Sequence, residues 1–188
     1  RTPAEGQFAK DAVLRRAMAA AQRTGAMPPE IRTMVVDLRS LHSVKELALE
    51  HLDSLPVIDF LIHAAEVKGL EALTMSEEGV EMHFAVNHLA PYVLTNFLLP
   101  KLELAAKAAQ MGVYGSDDEG PFGSRVVFCT SHAQRASDGT FLADVNFERR
   151  KYDAAKAYAG SKLANVMYAY QLGRSVMDLG VQAFSVSP

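Results

Sequence analysis

Arg125-Val126-Val127-Phe128-Cys129-Thr130 is a short apolar run with no polar residue at alternate positions. A strand that shows one face to water alternates apolar and polar side chains. A continuous run of this length, rich in β-branched and aromatic residues, predicts a strand buried on both faces. Val57 to His63, broken only by Asp59, reads the same way, as do Thr33 to Leu38 and Val181 to Val186.

Helical patterns separate these strands. Ala4 to Arg23 carries Ala12, Val13, Arg16, Ala19 and Ala20 at helical spacing, with Gly25 as a stop. Ser43 is positioned to cap a helix through Leu52, with Glu46 as its capping-box partner. Ser76 opens a helical region through about Lys107, in which Pro91 and Pro100 predict a kink or a break. Ala154 to Leu179 is the longest uninterrupted helical pattern, and Gly180 ends it. The connections at 111–124 and 137–153 are polar or Gly-rich loops. The alternation predicts an α/β fold with a parallel sheet and helices on both faces. Ligands in such sheets bind outside the carboxyl ends of the strands. Asp37, the stretch His63 to Glu66, Ser131 and the end at Pro188 therefore matter most.

Composition narrows the function classes. The chain has 188 residues, enough for one domain with a substantial core. A net charge of −3 gives no electrostatic case for nucleic acid or an anionic membrane surface. No apolar run reaches the length of a membrane-spanning helix. The single cysteine, Cys129, fits a reducing compartment, and the cytoplasm is the expected location. A targeting segment outside this stretch would leave no trace in it. The six histidines show no metal-ligand spacing, so no metal is expected. No Gly-x-Ser-x-Gly elbow points to hydrolase chemistry.

Tyr158-Ala159-Gly160-Ser161-Lys162 lies inside the last helical pattern. Tyr and Lys four apart share one helix face, about 5–6 Å apart at Cβ. A phenol ordinarily titrates near 10. A nearby ammonium pulls that value toward neutrality, which suits proton exchange with an alcohol or carbonyl. The spacing alone is also common on solvated helices.

Joint order makes it specific. Phe84-Ala85-Val86-Asn87-His88-Leu89-Ala90-Pro91-Tyr92-Val93-Leu94-Thr95, then Arg125 to Ser131, then Tyr158 to Asn165, resemble the short-chain dehydrogenase/reductase family, in particular its retinol-dehydrogenase-like branch. The closing run Val181 to Pro188 looks like the family's last core strand. The resemblance implies a Rossmann-like doubly wound parallel sheet and hydride exchange between a nicotinamide and a carbinol carbon. It implies Tyr158 as acid/base, Lys162 depressing the Tyr158 pKa and bonding the nicotinamide ribose, Ser131 holding the substrate oxygen, and Asn87 keeping a water linked to Lys162. As cofactor-binding residues it implies Arg1, Asp37, Leu38, His63, Ala64, Ala65, Tyr158, Lys162 and Pro188. Thr130 competes with Ser131 for the carbonyl-facing role, and each polar residue also has a purely structural reading as a cap or solvated group.

The departures are as informative as the matches. Where the family has Asn-Asn-Ala-Gly, this chain has His63-Ala64-Ala65-Glu66. A carboxylate near a pyrophosphate would cost roughly 1–3 kcal/mol, unless Glu66 turns outward. No Gly-rich phosphate turn occurs, and Arg1 resembles the end of the family's second strand, where it would favour NADP(H) over NAD(H). On this reading residues 1–188 are a partial NAD(P)-binding domain, incomplete at both ends, and the Val35 strand lacks a lateral partner. The expected activity is alcohol–carbonyl interconversion on a small, lipophilic substrate, with a homodimer formed through the long helices. The rival is a family member eroded at 63–66 and acting as a binding or regulatory protein.

Overall fold

In the computed structural model, which describes residues 3–25, 27, 29–52, 54–112 and 123–188, the run 125–130 forms the middle of a parallel sheet. The chain divides into two compact units, Arg1–Asp37 and Leu38–Pro188.

The described part of the first unit is a helix, α1 (Pro3–Thr24), and an extended tail. Gly25 takes φ 71° just past the helix end, the left-handed geometry that the expected stop requires. Thr33–Leu38 does not form the expected strand. A strand needs a ladder partner and a buried face, and here Met34 and Val35 are exposed.

The second unit begins with α2 (Leu41–Glu46), which passes into a π-helical turn at Leu47–Leu52. Its cap is Ser40, not Ser43: Ser40 Oγ accepts from the Ser43 N–H at 3.4 Å. The first strand, β1 (Phe60–His63), is shorter than the apolar run because the Ile58 N–H donates to the Lys101 carbonyl rather than to a ladder. Residues 76–79 form a turn, and the helical region starts later than expected. It comprises α3 (Met82–Phe84), capped by the Glu81 carboxylate, a π-helical turn at Ala85–Leu89, and α4 (Ala90–Gln110). Pro91 falls in the first turn of α4, directly after the π-helical turn, and the helical region continues through it. The helix also runs unbroken through Pro100. The remaining elements are β2 (Ser124–Cys129), α5 (Ala154–Val176) and β3 (Val181–Val186). Gly180, at φ 75°, turns the chain between α5 and β3.

The strand order is β1-β2-β3, all parallel, with Leu61 opposite Val126 and Val126 opposite Ala183. Leu102 and Ala106 of α4 and Ala169, Leu172 and Val176 of α5 close over Val126, Phe128 and Val181 as the core. Burial alternates along β2, so α4 and α5 cover one face only. The other face shows Phe60, Ile62, Phe184 and Val186 to solvent. The parallel Rossmann-like sheet is therefore present, and among the described residues of this unit the helical cover lies on one side. None of these helices is long and apolar enough to cross a membrane.

Candidate active site

The carboxyl ends of β1 and β2 meet the first turns of α5, and four expected residues gather there. Tyr158 and Lys162 are buried on α5 with their side chains on the sheet side. Lys162 Nζ donates to the Cys129 carbonyl at 3.0 Å, which pins the ammonium to the last residue of β2. It lies 5.6 Å from the centroid of the Tyr158 ring.

Ser131 follows β2 directly and caps a short 3-10 turn, its Oγ accepting from the Ala133 N–H at 3.3 Å. Thr130 is not a competitor for the open side of the site, because its hydroxyl donates to the Val186 carbonyl at 3.2 Å.

Asn87 is clamped rather than open. Its Oδ1 accepts from the Val67 N–H at 2.7 Å, and its Nδ2 donates to the Val67 carbonyl and to Ser161 Oγ, at 3.0 and 3.1 Å. Both amide hydrogens are used, so the expected water-holding role finds no free donor on this side chain. Ser161 donates in turn to the Tyr158 carbonyl at 2.8 Å. Asn87 thus fixes the loop after β1 and, through Ser161, the turn that carries Tyr158.

Glu66 turns inward. Its Oε2 lies 2.6 Å from Lys162 Nζ and accepts from the Tyr158 hydroxyl at 3.0 Å. Burial pushes Glu66 up, but Lys162, Tyr158 and Lys68 together outweigh it and hold the carboxyl below its ordinary range. The effect on Tyr158 is opposite to the one expected. Burial raises its pKa, and Glu66 raises it further by accepting a hydrogen bond from the protonated hydroxyl and by its charge; the Ser131 hydroxyl pulls the other way. The charge of Lys162 is spent on Glu66.

Of the other expected cofactor residues, those of the second unit have described positions near the strand ends or in the turn before α2. Arg1 lies outside the described residues, Asp37 belongs to the first unit, and Leu38 sits in the turn before α2. Ala64 and Ala65 are exposed directly after β1, and Pro188 follows β3 on the same sheet edge. His63 points into the fold: its ring stacks on Phe128 with centroids 4.9 Å apart, and Nε2 meets Thr95 Oγ1 at 2.8 Å. Burial lowers its pKa to about 4, so it is neutral at physiological pH.

Two supporting groups were not singled out from the sequence. Asn165, buried on α5, bonds both the Asn87 carbonyl and His88. A buried Glu81–His83 pair, 2.7 Å apart, is met by the Tyr152 hydroxyl, and the His83 ring stands edge-on to Tyr158 at 6.1 Å. Paired Glu and His two apart at the start of a helical region was the only available signal for that cluster. A hollow of about 350 Å³ between Val80, Phe84, Leu142 and Arg149 is lined by none of the four residues expected to be catalytic. Among the described residues, no three metal-ligating side chains come together.

The chain is similar to part of several known proteins. No family model matches the chain. Retinol dehydrogenase 13 of Homo sapiens is 35% identical over 153 residues, which cover 81% of this chain and 41% of that protein. Dehydrogenase/reductase SDR family member 13 of Bos taurus is 33% identical over 159 residues, covering 85% of this chain and 37% of that protein. The chain thus spans about two fifths of the length of these curated relatives. The crystal structure of a metagenomic short-chain oxidoreductase in complex with NADP shares the fold, with a TM-score of 0.61 at 19% identity, over 95% of this chain and 65% of that one. The parallel sheet and these relatives agree: over the stretch it covers, the chain is similar in sequence and fold to short-chain dehydrogenase/reductase proteins.

Proposed function

We propose that the protein is an NAD(P)-dependent oxidoreductase that interconverts a lipophilic alcohol and its ketone or aldehyde. One observation carries this reading: the Tyr158 hydroxyl and Lys162 Nζ converge on a single oxygen, at 3.0 and 2.6 Å. That oxygen belongs to Glu66, and it marks a place where a phenol and an ammonium both reach one acceptor. A substrate oxygen received there is within range of a group able to give or take its proton.

The donor set fits the ribose end of a nicotinamide dinucleotide, since a buried ammonium and a phenol suit hydroxyl groups and Ala64 and Ala65, next to Glu66 in the chain, are exposed. When bound, that cofactor supplies or accepts the hydride. Tyr158 gives its proton to the carbonyl oxygen in reduction and takes it from the alcohol in oxidation. Ser131 holds the same oxygen, a positioning and electrostatic role. Lys162, anchored by the Cys129 carbonyl, steadies the phenol and the ribose. Asn87 holds the frame through Val67 and Ser161.

NADP(H) is the favoured cofactor in this reading. The NADP held by the metagenomic relative and the guanidinium at Arg1 both support it. A homodimer through the long helices, in the cytoplasm, is the accompanying assembly and location. Tyr92, Phe97 and Leu104 on α4 and Met167 and Tyr170 on α5 are exposed and support such a contact. The test is consumption of NADPH by the full-length protein with a panel of lipophilic ketones and aldehydes. Tyr158→Phe should lower kcat at least about a hundredfold with cofactor affinity nearly unchanged. Retention of more than about a tenth of kcat removes Tyr158 as the proton donor.

A further inference from the structure

The Tyr158–Lys162 pair already holds a ligand, and the chain supplies it. Glu66 Oε2 takes the Tyr158 hydroxyl at 3.0 Å and Lys162 Nζ at 2.6 Å. The two ends of this contact differ in freedom. The Lys162 side chain is 2% exposed and bonded to the Cys129 carbonyl, whereas Glu66 is 40% exposed. Its neighbours Ala64, Ala65 and Lys68 are exposed as well, so the carboxylate enters from solvent and can return to it. The other groups that face this place are Ser131, from the turn after β2, Lys68, whose Nζ lies 5.3 Å from the Tyr158 ring centroid, and the His83 ring, paired with Glu81 and edge-on to Tyr158 at 6.1 Å.

We propose that Glu66 is a tethered occupant of the oxygen site, so that the Tyr158–Lys162 pair receives a ligand only when this carboxylate swings out. The proposal rests on the reading of Tyr158 and Lys162 as the acid–base pair. A residue with a small side chain at this position would leave the pair open. A tethered carboxylate competes with every incoming ligand, and apparent affinity falls by the fraction of molecules in which the site is open. It also occupies the charge of Lys162, leaving the phenol without the ammonium that would favour its ionisation.

The experiment uses the full-length protein and its Glu66→Gln, Glu66→Gly and Tyr158→Phe variants, with two independent readouts. The first is the ultraviolet titration of tyrosine, with the Tyr158 contribution obtained by subtracting the Tyr158→Phe curve. Both Glu66 variants should ionise Tyr158 at lower pH than the parent. The second is equilibrium binding of NADPH, which should tighten about tenfold in Glu66→Gly, with a smaller gain at high salt. A Tyr158 titration that does not move in either variant overturns the proposal. A shifted titration with unchanged NADPH affinity overturns it too, because an occupant must compete. A shifted titration with no NADPH or NADH binding by any variant overturns the oxidoreductase reading instead and leaves the Glu66 contact standing.

Discussion

Asn165 Nδ2 donates to the Asn87 carbonyl at 2.8 Å, joining α5 to the π-helical turn across 78 residues of chain. The same amide accepts from His88 Nδ1 at 3.0 Å, so the hydrogen of this imidazole sits on Nδ1. One buried side chain therefore satisfies two groups of the turn that positions Asn87. Asn165→Ala leaves both without a partner, at about 1–3 kcal/mol each before relaxation. We expect a loss of about 3 kcal/mol in denaturant unfolding, against less than about 1 for Asn96→Ala, whose amide is exposed. Similar losses for the two would show that the Asn165 contacts contribute little.

The pH dependence of stability is set in part by His63. Burial lowers its folded pKa to about 4 from 6.5, so between these values the unfolded chain binds a proton that the folded chain refuses. Stability is then lost as pH falls through this window, by up to about 3 kcal/mol, and is flat above it. His88, also lowered by burial although Asn165 opposes the shift, adds in the same direction. Urea unfolding at about pH 7 and about pH 4.5 should show the drop, and His63→Gln should remove most of it. An equal drop in the variant would assign the effect elsewhere.

Gly160 lies between Tyr158 and Lys162, and an added Cβ would stand 2.9–3.2 Å from the Cγ, Cδ2 and Cβ atoms of Phe141. Alanine in a helix is ordinarily better than glycine by about 1 kcal/mol. Here Phe141 is buried and the contact falls near the base of its ring, where little can give. Overpacking should outweigh propensity, and Gly160→Ala should be destabilised by about 1–2 kcal/mol. Phe141→Leu in the same background should restore part of the loss. A melting temperature that rises in the single variant would refute the packing argument.

The cofactor preference is tested by kcat/KM for NADPH and NADH in the full-length protein. NADPH should be favoured, and Arg1→Ala should reduce that preference about tenfold or more, the scale of one lost charge-assisted bidentate contact. Equal values for both cofactors in the parent exclude this role for Arg1.

Local pattern decided the elements whose signals were strong. The apolar runs at 125–130 and 181–186 became β2 and β3 within a residue or two, whereas α5 ends at Val176, three residues short of the expected Leu179, and Gly180 closes the 3-10 turn that follows it. Thr33–Leu38 carried an equal signal and formed no strand, because a strand exists only with a partner, which is a property of the sheet and not of the run. The π-helical turns at 47–52 and 85–89 break the 3.6-residue period on which helix reading depends, so neither was visible. Ser43 carried the better capping-box pattern, yet Ser40 is the residue with extended backbone at the helix start. At the site, residue types and order singled out Tyr158, Lys162, Ser131 and Asn87, which the fold brings together. The inward turn of Glu66 was open, although a buried lysine demands a counter-charge and the nearest departure from the family pattern was a carboxylate.

The pairing of Glu66 with Lys162 also sets how ligands arrive. Two opposite charges 2.6 Å apart form a short dipole whose field fades quickly with distance, and the chain around them has a net charge of −3. An anionic molecule approaching from bulk solvent meets no long-range pull from this pair. As far as this pair is concerned, capture is expected near the unsteered rate of roughly 10⁵–10⁶ M⁻¹s⁻¹, and any steering must come from other charges such as Lys68, 5.3 Å from the Tyr158 ring centroid.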